Sequence, residues 1–190
     1  MTDMKPLDDT LIPQVAGLSR RNLLSMSVGS ALALAMNAGT MGLAHATAFN
    51  ELEVDDATWR RWLSDKAYRV LRQEETERAF SSPLDKETRT GTYVCAGCFL
   101  PLFSSDHKYN SRTGWPSFWQ PISDENIGTK RDFKLIWPRT EYHCRRCKGH
   151  QGHVFNDGPE PTGQRWCNNG VALEFIPEGQ PLPPLRQARS

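Results

Sequence analysis

The five cysteines are the residues whose type and spacing most directly indicate chemistry in this 190-residue chain. All of them lie after position 94: four form two Cys-x-x-Cys pairs and the fifth, Cys167, stands alone. Each pair follows a β-prone run, so the two pairs can place four thiolates at the corners of a tetrahedron around one zinc ion. Four sulfur ligands close such a site, and the spacing therefore predicts a structural zinc ion held by Cys95, Cys98, Cys144 and Cys147.

The paired cysteines also admit a redox interpretation. Disulfides and reactive Cys-x-x-Cys motifs occur in oxidising compartments, where an exported protein would fold or function. The paired spacing favours zinc over two disulfides. A thiol–disulfide oxidoreductase would carry one pair at a strand-to-helix junction, and neither pair has that context.

The fifth cysteine has the surroundings of a nucleophile. Cys167 lies in the polar and basic stretch 163–170, and a nearby cation lowers the pKa of a thiol. A lone thiol is otherwise most often a small buried hydrophobic residue. An acid is also needed to protonate a departing oxygen, and His150 and His153 offer two imidazoles, although either could bind zinc or pack in the core.

These residues must be positioned by a mainly β domain with short helices at its start. Apolar residues recur at helical spacing from Asp55 to about Gln73, with Asp55 or Asp56 as a cap and Ser64 as the cap of a possible second helix. Beyond Phe80, turn residues separate short β-prone runs. These runs are Gly91–Val94, Asp132–Trp137 and Val171–Ile176.

The first 46 residues have the features of an export signal. Arg20 and Arg21 precede an uncharged stretch of small and apolar residues from Leu23 to about Met36, a pattern read by the twin-arginine route. A membrane anchor needs about 20 apolar residues, and this stretch is shorter. Ala44-His45-Ala46 suits a signal peptidase, so we expect residues 1–46 to be removed and the mature protein to be periplasmic without an anchor.

Composition bounds the remaining organisation. The net charge is +1, from 23 basic and 22 acidic residues, which argues against a nucleic-acid partner. The length suits one globular core. Residues 47–62 are predicted to form an N-terminal extension with a helix, and residues 178–190, rich in Pro, Gln and Arg, are predicted to be a loose tail.

Three longer motifs carry a resemblance to a known family. Gly114–Phe118, Gly152–Pro159 and Arg165–Asn169, together with the two cysteine pairs, resemble the methionine-R-sulfoxide reductase family MsrB in the family's order. The resemblance covers roughly residues 63–177, which we therefore take as the domain. It implies two antiparallel β-sheets with peripheral helices, stapled by zinc at the two cysteine pairs.

The resemblance also implies a role for each matched residue. Cys167 would be the nucleophile, and Trp115 would form the apolar wall that receives the methyl group of the substrate. His150 and His153 would bind the sulfoxide oxygen or its water network and supply the proton.

Three further residues complete the implied site. Asn169 would hydrogen-bond within the network around the sulfoxide oxygen, while Arg165 and Asp157 would set the ionisation of the thiol and the imidazoles. Trp166 and Asn168 differ from the residues that many relatives carry beside the nucleophile, and we expect them to reshape the rim of the pocket.

The implied reaction is the reduction of methionine (R)-S-oxide, free or in proteins, through a sulfenic acid on Cys167. Many relatives place a resolving cysteine where this chain has Thr113, so an external, thioredoxin-like thiol is expected to regenerate the enzyme. Repair of oxidised exported proteins would be the role. The alternative is a four-cysteine zinc binding module without catalysis, which explains the paired cysteines but not Cys167 or the histidines.

Overall fold

The computed structural model describes residues 50–133 and 137–188. The predicted signal peptide, residues 1–46, lies outside the described residues. Within the described ranges, no helix has the length and apolar character needed to cross a membrane.

Two short helices open the described chain, as the sequence predicts. Helix α1 spans Asp56–Trp62 and begins at Asp55, whose carboxylate accepts from the Thr58 N–H at 2.7 Å. Helix α2 spans Asp65–Gln73 and begins at Ser64, whose hydroxyl accepts from the Ala67 N–H at 3.2 Å. Each capping side chain satisfies an N–H that has no partner within its helix, which explains the division into two helices.

The strands form two antiparallel sheets, which confirms the predicted mainly β class. The smaller sheet has the strand order β2-β1-β9, and the larger has the order β3-β4-β8-β7-β6-β5. Among the described residues, three 3₁₀ turns connect consecutive strands and a fourth lies between α2 and β1. The strand bounds are β1 Gly91–Cys95, β2 Pro101–Ser104, β3 Lys108–Tyr109, β4 Ser117–Phe118, β5 Ile127–Asp132, β6 Arg139–Cys144, β7 His150–Phe155, β8 Arg165–Asn168 and β9 Leu173–Pro177.

Two predicted strands are displaced in the structure. The run Val171–Ile176 begins instead as a 3₁₀ turn at Gly170–Ala172, and β9 starts at Leu173, the residue opposite Cys95 of β1. The run Asp132–Trp137 contains only the last residue of β5, and residues 134–136 lie outside the described residues. β-propensity located these runs, but pairing with a neighbouring strand set where each strand begins and ends.

Aromatic side chains from both sheets form the centre of the core. Phe103 of the smaller sheet stacks on Phe118 of the larger one with ring centroids 4.2 Å apart. Tyr142 packs edge-on against Phe103 at 6.0 Å, and all three side chains are fully buried. Burial of each such ring contributes about 1.5–3 kcal/mol, so this contact holds the two sheets face to face.

The C-terminal segment is attached to the domain at least as far as Arg186, which corrects the predicted loose tail over residues 178–190. The Arg186 guanidinium lies 4.3 Å from the ring centre of Phe99. Its main-chain N–H donates to the Cys98 carbonyl at 3.2 Å, and its carbonyl accepts from Arg146 at 2.5 Å. The segment lacks regular structure as expected, but one arginine anchors it to the domain.

Candidate active site and metal centre

The two Cys-x-x-Cys pairs, here called the knuckles, have the same local geometry. The first continues β1 from Cys95, and the second continues β6 from Cys144. In each, the residue after the second cysteine has a left-handed backbone and returns its N–H to the carbonyl of the first cysteine: Phe99 at 2.8 Å and Lys148 at 2.9 Å. This tight turn places the two sulfurs of a knuckle on the same side of the chain.

The four knuckle sulfurs form one cluster. They all lie within 4.8 Å of one another, and two close contacts join the knuckles: Cys95 to Cys147 at 3.6 Å and Cys98 to Cys144 at 3.5 Å. Four thiolates bound to zinc at about 2.3 Å stand about 3.8 Å apart at tetrahedral corners. The separations exceed the about 2.05 Å of a disulfide, so the cluster fits a metal ion and is not two disulfides.

The ionisation of the cluster also calls for a cation. Hydrogen bonds with the neighbouring thiols raise the pKa of Cys95, and burial raises that of Cys144, both well above the usual range. Hydrogen bonds from Cys144 and Cys147 lower the pKa of Cys98. The group cannot hold four negative charges without a counterion, and a divalent cation would supply that charge.

Close packing around the cluster leaves no room for extra side-chain atoms. A Cβ on Gly97 would lie 3.3 Å from the sulfur of Cys147, and one on Gly149 would lie 2.8 Å from the Leu71 side chain of α2. The Gln151 amide donates to the sulfur of Cys95 at 3.3 Å. These contacts enclose the sulfurs, as expected for a closed structural site.

The candidate nucleophile lies at the middle of the larger sheet. Cys167 is on β8, opposite Ser117 of β4 on one side and His153 of β7 on the other. Directly opposed residues of antiparallel strands point to the same face, about 4.5–5.5 Å apart at Cβ. Sheet register therefore gathers the partly exposed thiol, a hydroxyl and an imidazole on one face.

Three hydroxyl groups form a cluster beside the thiol. The Ser111 hydroxyl lies 2.8 Å from that of Thr113 and 2.7 Å from that of Ser117. Ser117 lies directly opposite Cys167, and hydrogen bonding by Thr113 and Ser117 acts to lower the pKa of the Cys167 thiol. Thr113, where the sequence resemblance leads us to expect a resolving cysteine in many relatives, thus places a hydroxyl beside the nucleophile. The motif Gly114–Phe118 already contained Ser117, but its contact with Cys167 depends on strand pairing.

An arginine–aspartate pair borders the same face. The Arg165 guanidinium donates to both carboxylate oxygens of Asp157, at 2.8 and 2.9 Å, and lies 4.2 Å from the ring centre of Phe155. This bond lowers the pKa of Asp157 and holds the cation beside the nucleophile.

Burial, more than charge, sets the ionisation of the nucleophile. Desolvation raises the pKa of Cys167, and the Arg165 charge and the hydrogen bonds from Thr113 and Ser117 only partly oppose it. The sequence suggested that a cationic neighbourhood would favour the thiolate. The structure corrects this: in the free protein the thiol is protonated near neutral pH, and the reaction must remove its proton.

Each candidate histidine is held by a carboxylate that the sequence analysis did not identify. His150 Nδ1 lies 2.7 Å from Glu141, and His153 Nε2 lies 2.8 Å from Asp132. The two imidazole rings are 5.5 Å apart. Among the described residues, the side chains close enough to share a metal ion are the four knuckle cysteines, so neither histidine belongs to the metal site.

The electrostatics of these pairs differ. Burial lowers the pKa of His153, and its bond to Asp132 opposes that shift. Burial acts to raise the pKa of Glu141, but His143, 3.5 Å from one oxygen, and His150, hydrogen-bonded to the other, outweigh it and bring the value to about 2. Glu141 is thus a carboxylate at neutral pH and fixes a proton on the Nδ1 of His150. The sequence did contain one indication of Glu141, because it is a charged residue within an otherwise β-prone run.

Trp115 and Asn169 are joined through Glu77, another residue that sequence reasoning missed. The Trp115 indole donates to the Glu77 carbonyl at 3.1 Å, and its ring is partly buried. The Asn169 side chain accepts from the Glu77 N–H at 3.0 Å and donates to the Gln151 carbonyl at 3.0 Å. Asn169 therefore braces the main chain behind the nucleophile, and its contact with substrate stays a prediction.

The two unusual neighbours of Cys167 point into the interior, which corrects the expectation that they line the rim. Asn168 is fully buried and accepts from the Tyr142 hydroxyl at 2.6 Å. Trp166 packs edge-on against Tyr142 with ring centroids 5.0 Å apart. Alternation along β8 turns both side chains away from the face that carries Cys167.

A cleft of about 640 Å³ borders the site through Tyr109. Tyr109 lies close enough to Cys167 and Arg165 for their charges to act on its pKa, which burial raises. Phe80, which is 67% exposed, and Arg112 also line the cleft. The volume exceeds that of one methionine side chain, so the cleft has room for the neighbouring residues of a peptide.

Comparison with known proteins gives one consistent result. A family profile described as the SelR domain matches residues 63–177. Proteins named peptide methionine sulfoxide reductase MsrB are similar over most of their length. That of Leptospira interrogans is 49% identical over 128 residues, 67% of this chain and 98% of the relative. That of Bradyrhizobium diazoefficiens is 51% identical over 120 residues, covering 63% and 86% of the two chains.

Proposed function

Because the chain belongs to the SelR-domain family of MsrB methionine sulfoxide reductases, we propose that it reduces the R epimer of methionine sulfoxide, free or in proteins. The observation that carries the proposal is the position of Cys167 between His153 and the hydroxyl of Ser117 on one face of the sheet. This arrangement supplies a nucleophile, a group that moves a proton and hydrogen-bond donors for a polar intermediate.

The proposed reaction transfers oxygen from the sulfoxide sulfur to the sulfur of Cys167. The Cys167 thiol loses its proton, and the thiolate attacks the sulfoxide sulfur. This attack forms a transient bond between the two sulfurs, and the oxygen is protonated. The oxygen then moves to the sulfur of Cys167 as the bond between the sulfurs and the S–O bond of the substrate break, so methionine leaves and Cys167 carries a sulfenic acid. The substrate sulfur gains two electrons and the cysteine sulfur loses two.

His153 is the residue best placed to move the proton. It lies opposite Cys167, and its lowered pKa leaves the ring neutral in the free protein. The Asp132 carboxylate accepts a hydrogen bond from Nε2–H of His153. Nδ1 is therefore the unprotonated nitrogen, which takes the proton of the thiol and passes it to the departing oxygen. His150, whose Nδ1 is held by Glu141, would orient the oxygen.

An external thiol would complete the cycle. Thr113 and Ser117 place hydroxyls, not thiols, beside Cys167. The other four cysteines form the metal cluster, so the thiol that reduces the sulfenic acid would come from another molecule. A donor thiol attacks the sulfenic acid and releases water, and a second thiol cleaves the mixed disulfide. A thioredoxin-like protein, with two thiols, supplies both equivalents.

The knuckle cluster would hold one zinc ion. Cys95, Cys98, Cys144 and Cys147 have the sulfur chemistry and spacing that zinc prefers. Because β1 belongs to the smaller sheet and β6 to the larger, a bound ion would staple the two sheets together. When bound, the ion supplies charge balance and rigidity, and the reacting groups lie elsewhere.

We also propose that the protein is exported and repairs oxidised methionines in exported proteins. Arg20 and Arg21, the uncharged stretch after them and Ala44-His45-Ala46 support this proposal. N-terminal sequencing of the protein from a cell envelope fraction should begin near Thr47. A protein that keeps residues 1–46 and stays in the cytoplasm would refute export.

The proposed activity is tested with separated R and S sulfoxides of a blocked methionine, using mature protein loaded with zinc and dithiothreitol as donor. We expect consumption of the R epimer and none of the S epimer, since Trp115 would hold the methyl group while Cys167, between Ser117 and His153 on one face of the sheet, attacks the sulfur. Consumption of both epimers would refute the stereospecificity. Folded, zinc-loaded protein that consumes neither would favour the binding module instead.

A further inference from the structure

The segment between α2 and the next 3₁₀ turn, residues 74–82, is here called the strap. At its centre, Glu77 uses four polar groups in contacts with the candidate site: its N–H, its carbonyl and both carboxylate oxygens. The mechanism above assigns no role to this residue, although it is only partly exposed.

The carboxylate holds the turn that follows the nucleophile. It accepts the N–H of Gly170 with one oxygen and the N–H of Val171 with the other at 3.2 Å. These groups open the 3₁₀ turn Gly170–Ala172, three residues after Cys167. A Cβ on Gly170 would lie 1.9 Å from the Ser82 hydroxyl oxygen and 3.2 Å from the Glu77 carboxylate, so the turn and the strap are in tight contact.

The main chain of Glu77 connects the same turn to Trp115. Its N–H donates to the Asn169 side chain at 3.0 Å, and its carbonyl accepts from the Trp115 indole at 3.1 Å. Asn169 in turn donates to the Gln151 carbonyl on β7, the strand that carries His153. One residue thus touches both the aromatic wall and the chain immediately behind the thiol.

We infer that Glu77 is a positioning residue, which sets the distance between the Trp115 ring and the Cys167 thiol. The inference rests on the proposed function, because it assigns Trp115 to the substrate's methyl group and Cys167 to its sulfur. Attack at sulfur requires the methyl wall and the thiol to be correctly spaced at the same time. The Glu77 carboxylate holds the turn that follows Cys167, and the Glu77 carbonyl holds the Trp115 ring.

Three variants of the mature, zinc-loaded protein test this inference. Glu77→Ala removes the carboxylate, and Glu77→Gln keeps one acceptor oxygen. Glu75→Ala is the matched control, because Glu75 is an exposed strap residue paired with Arg69 at 3.1 Å. We expect Glu77→Ala to lower kcat/KM for the R epimer by about 10²-fold, the size expected for a displacement near 1 Å. Glu77→Gln should lose about 10-fold, and Glu75→Ala should match wild type.

Two readouts separate positioning from loss of folded protein. A variant that is merely less stable keeps its KM and loses kcat in proportion to the unfolded fraction, whereas a displaced Trp115 raises KM. Hydrogen exchange of the amides at positions 170 and 171 should accelerate in Glu77→Ala and stay unchanged in Glu75→Ala. Zinc content should be equal in all proteins.

Specific outcomes overturn the inference. If Glu77→Ala shows faster exchange at positions 170 and 171 but a kcat/KM within twofold of wild type, Glu77 is structural only. If Glu77→Ala does not fold, a folded Glu77→Gln with wild-type KM and kcat overturns it equally. If wild type and Glu75→Ala are both inactive, the proposed function has failed, and the exchange result still reports whether Glu77 holds the turn.

Discussion

Replacing Cys167 by serine is expected to abolish reduction of methionine sulfoxide, lowering kcat/KM by about 10⁴-fold or more. A serine hydroxyl cannot accept the oxygen as a sulfenic acid, so the oxygen transfer has no acceptor. Serine is nearly the same size and can hydrogen-bond to Thr113 and Ser117, so the fold should be retained. The measurement is turnover of the R epimer by wild type and Cys167→Ser at equal zinc content.

Mass spectrometry identifies the intermediate behind this result. Wild type treated with substrate and dimedone, without a reducing thiol, should carry one dimedone adduct on the peptide that contains Cys167. Cys167→Ser should carry none. A disulfide between Cys167 and another cysteine of the same chain would contradict the one-cysteine mechanism. Activity retained by Cys167→Ser would place the nucleophile elsewhere.

Features that are decided by a few neighbouring residues could be predicted from the sequence. The helix starts at Asp56 and Asp65 depend on Asp55 and Ser64, whose side chains cap N–H groups three residues away. The knuckles are equally local, because a turn of five residues brings each pair of sulfurs together. The zinc interpretation needed only that spacing.

Contacts between residues that are far apart in the sequence could not be predicted. The partner of His153 is Asp132, 21 residues earlier on a strand that is not adjacent to β7 in the sheet. Glu77 reaches the turn at Gly170 across 93 residues. Neither contact produces a periodic pattern in the sequence, because each involves a single pair of residues that only the folded chain brings together.

The ionisation of Cys167 shows how tertiary structure overrides a local signal. Arg165, two residues away, predicts a low thiol pKa, but Asp157 engages this arginine with two hydrogen bonds. Burial then raises the pKa of Cys167 above its ordinary value. The number of water molecules displaced from a thiol depends on the packing of whole strands, so charge counted along the sequence gives the wrong direction here.

Loss of the metal ion is expected to unfold the domain rather than to slow the reaction selectively. Cys98→Ser should lose bound zinc and lower the Tm by more than about 10 °C, because structural zinc contributes about 10–16 kcal/mol in small domains and a domain's whole stability is about 5–15 kcal/mol. The ion would join Cys95, at the end of β1 in one sheet, to Cys144, at the end of β6 in the other.

The matched control for this prediction is Cys167→Ser, which also removes one thiol but leaves the knuckles intact. Cys167→Ser should retain one zinc ion and the wild-type Tm while losing catalysis. Cys98→Ser should lose the zinc ion and have a lower Tm. Metal content by plasma mass spectrometry and Tm by circular dichroism separate the two roles. A Cys98→Ser protein that loses its zinc but keeps the wild-type Tm would contradict the prediction, and would show that the aromatic contact between Phe103 and Phe118 holds the sheets together without the ion.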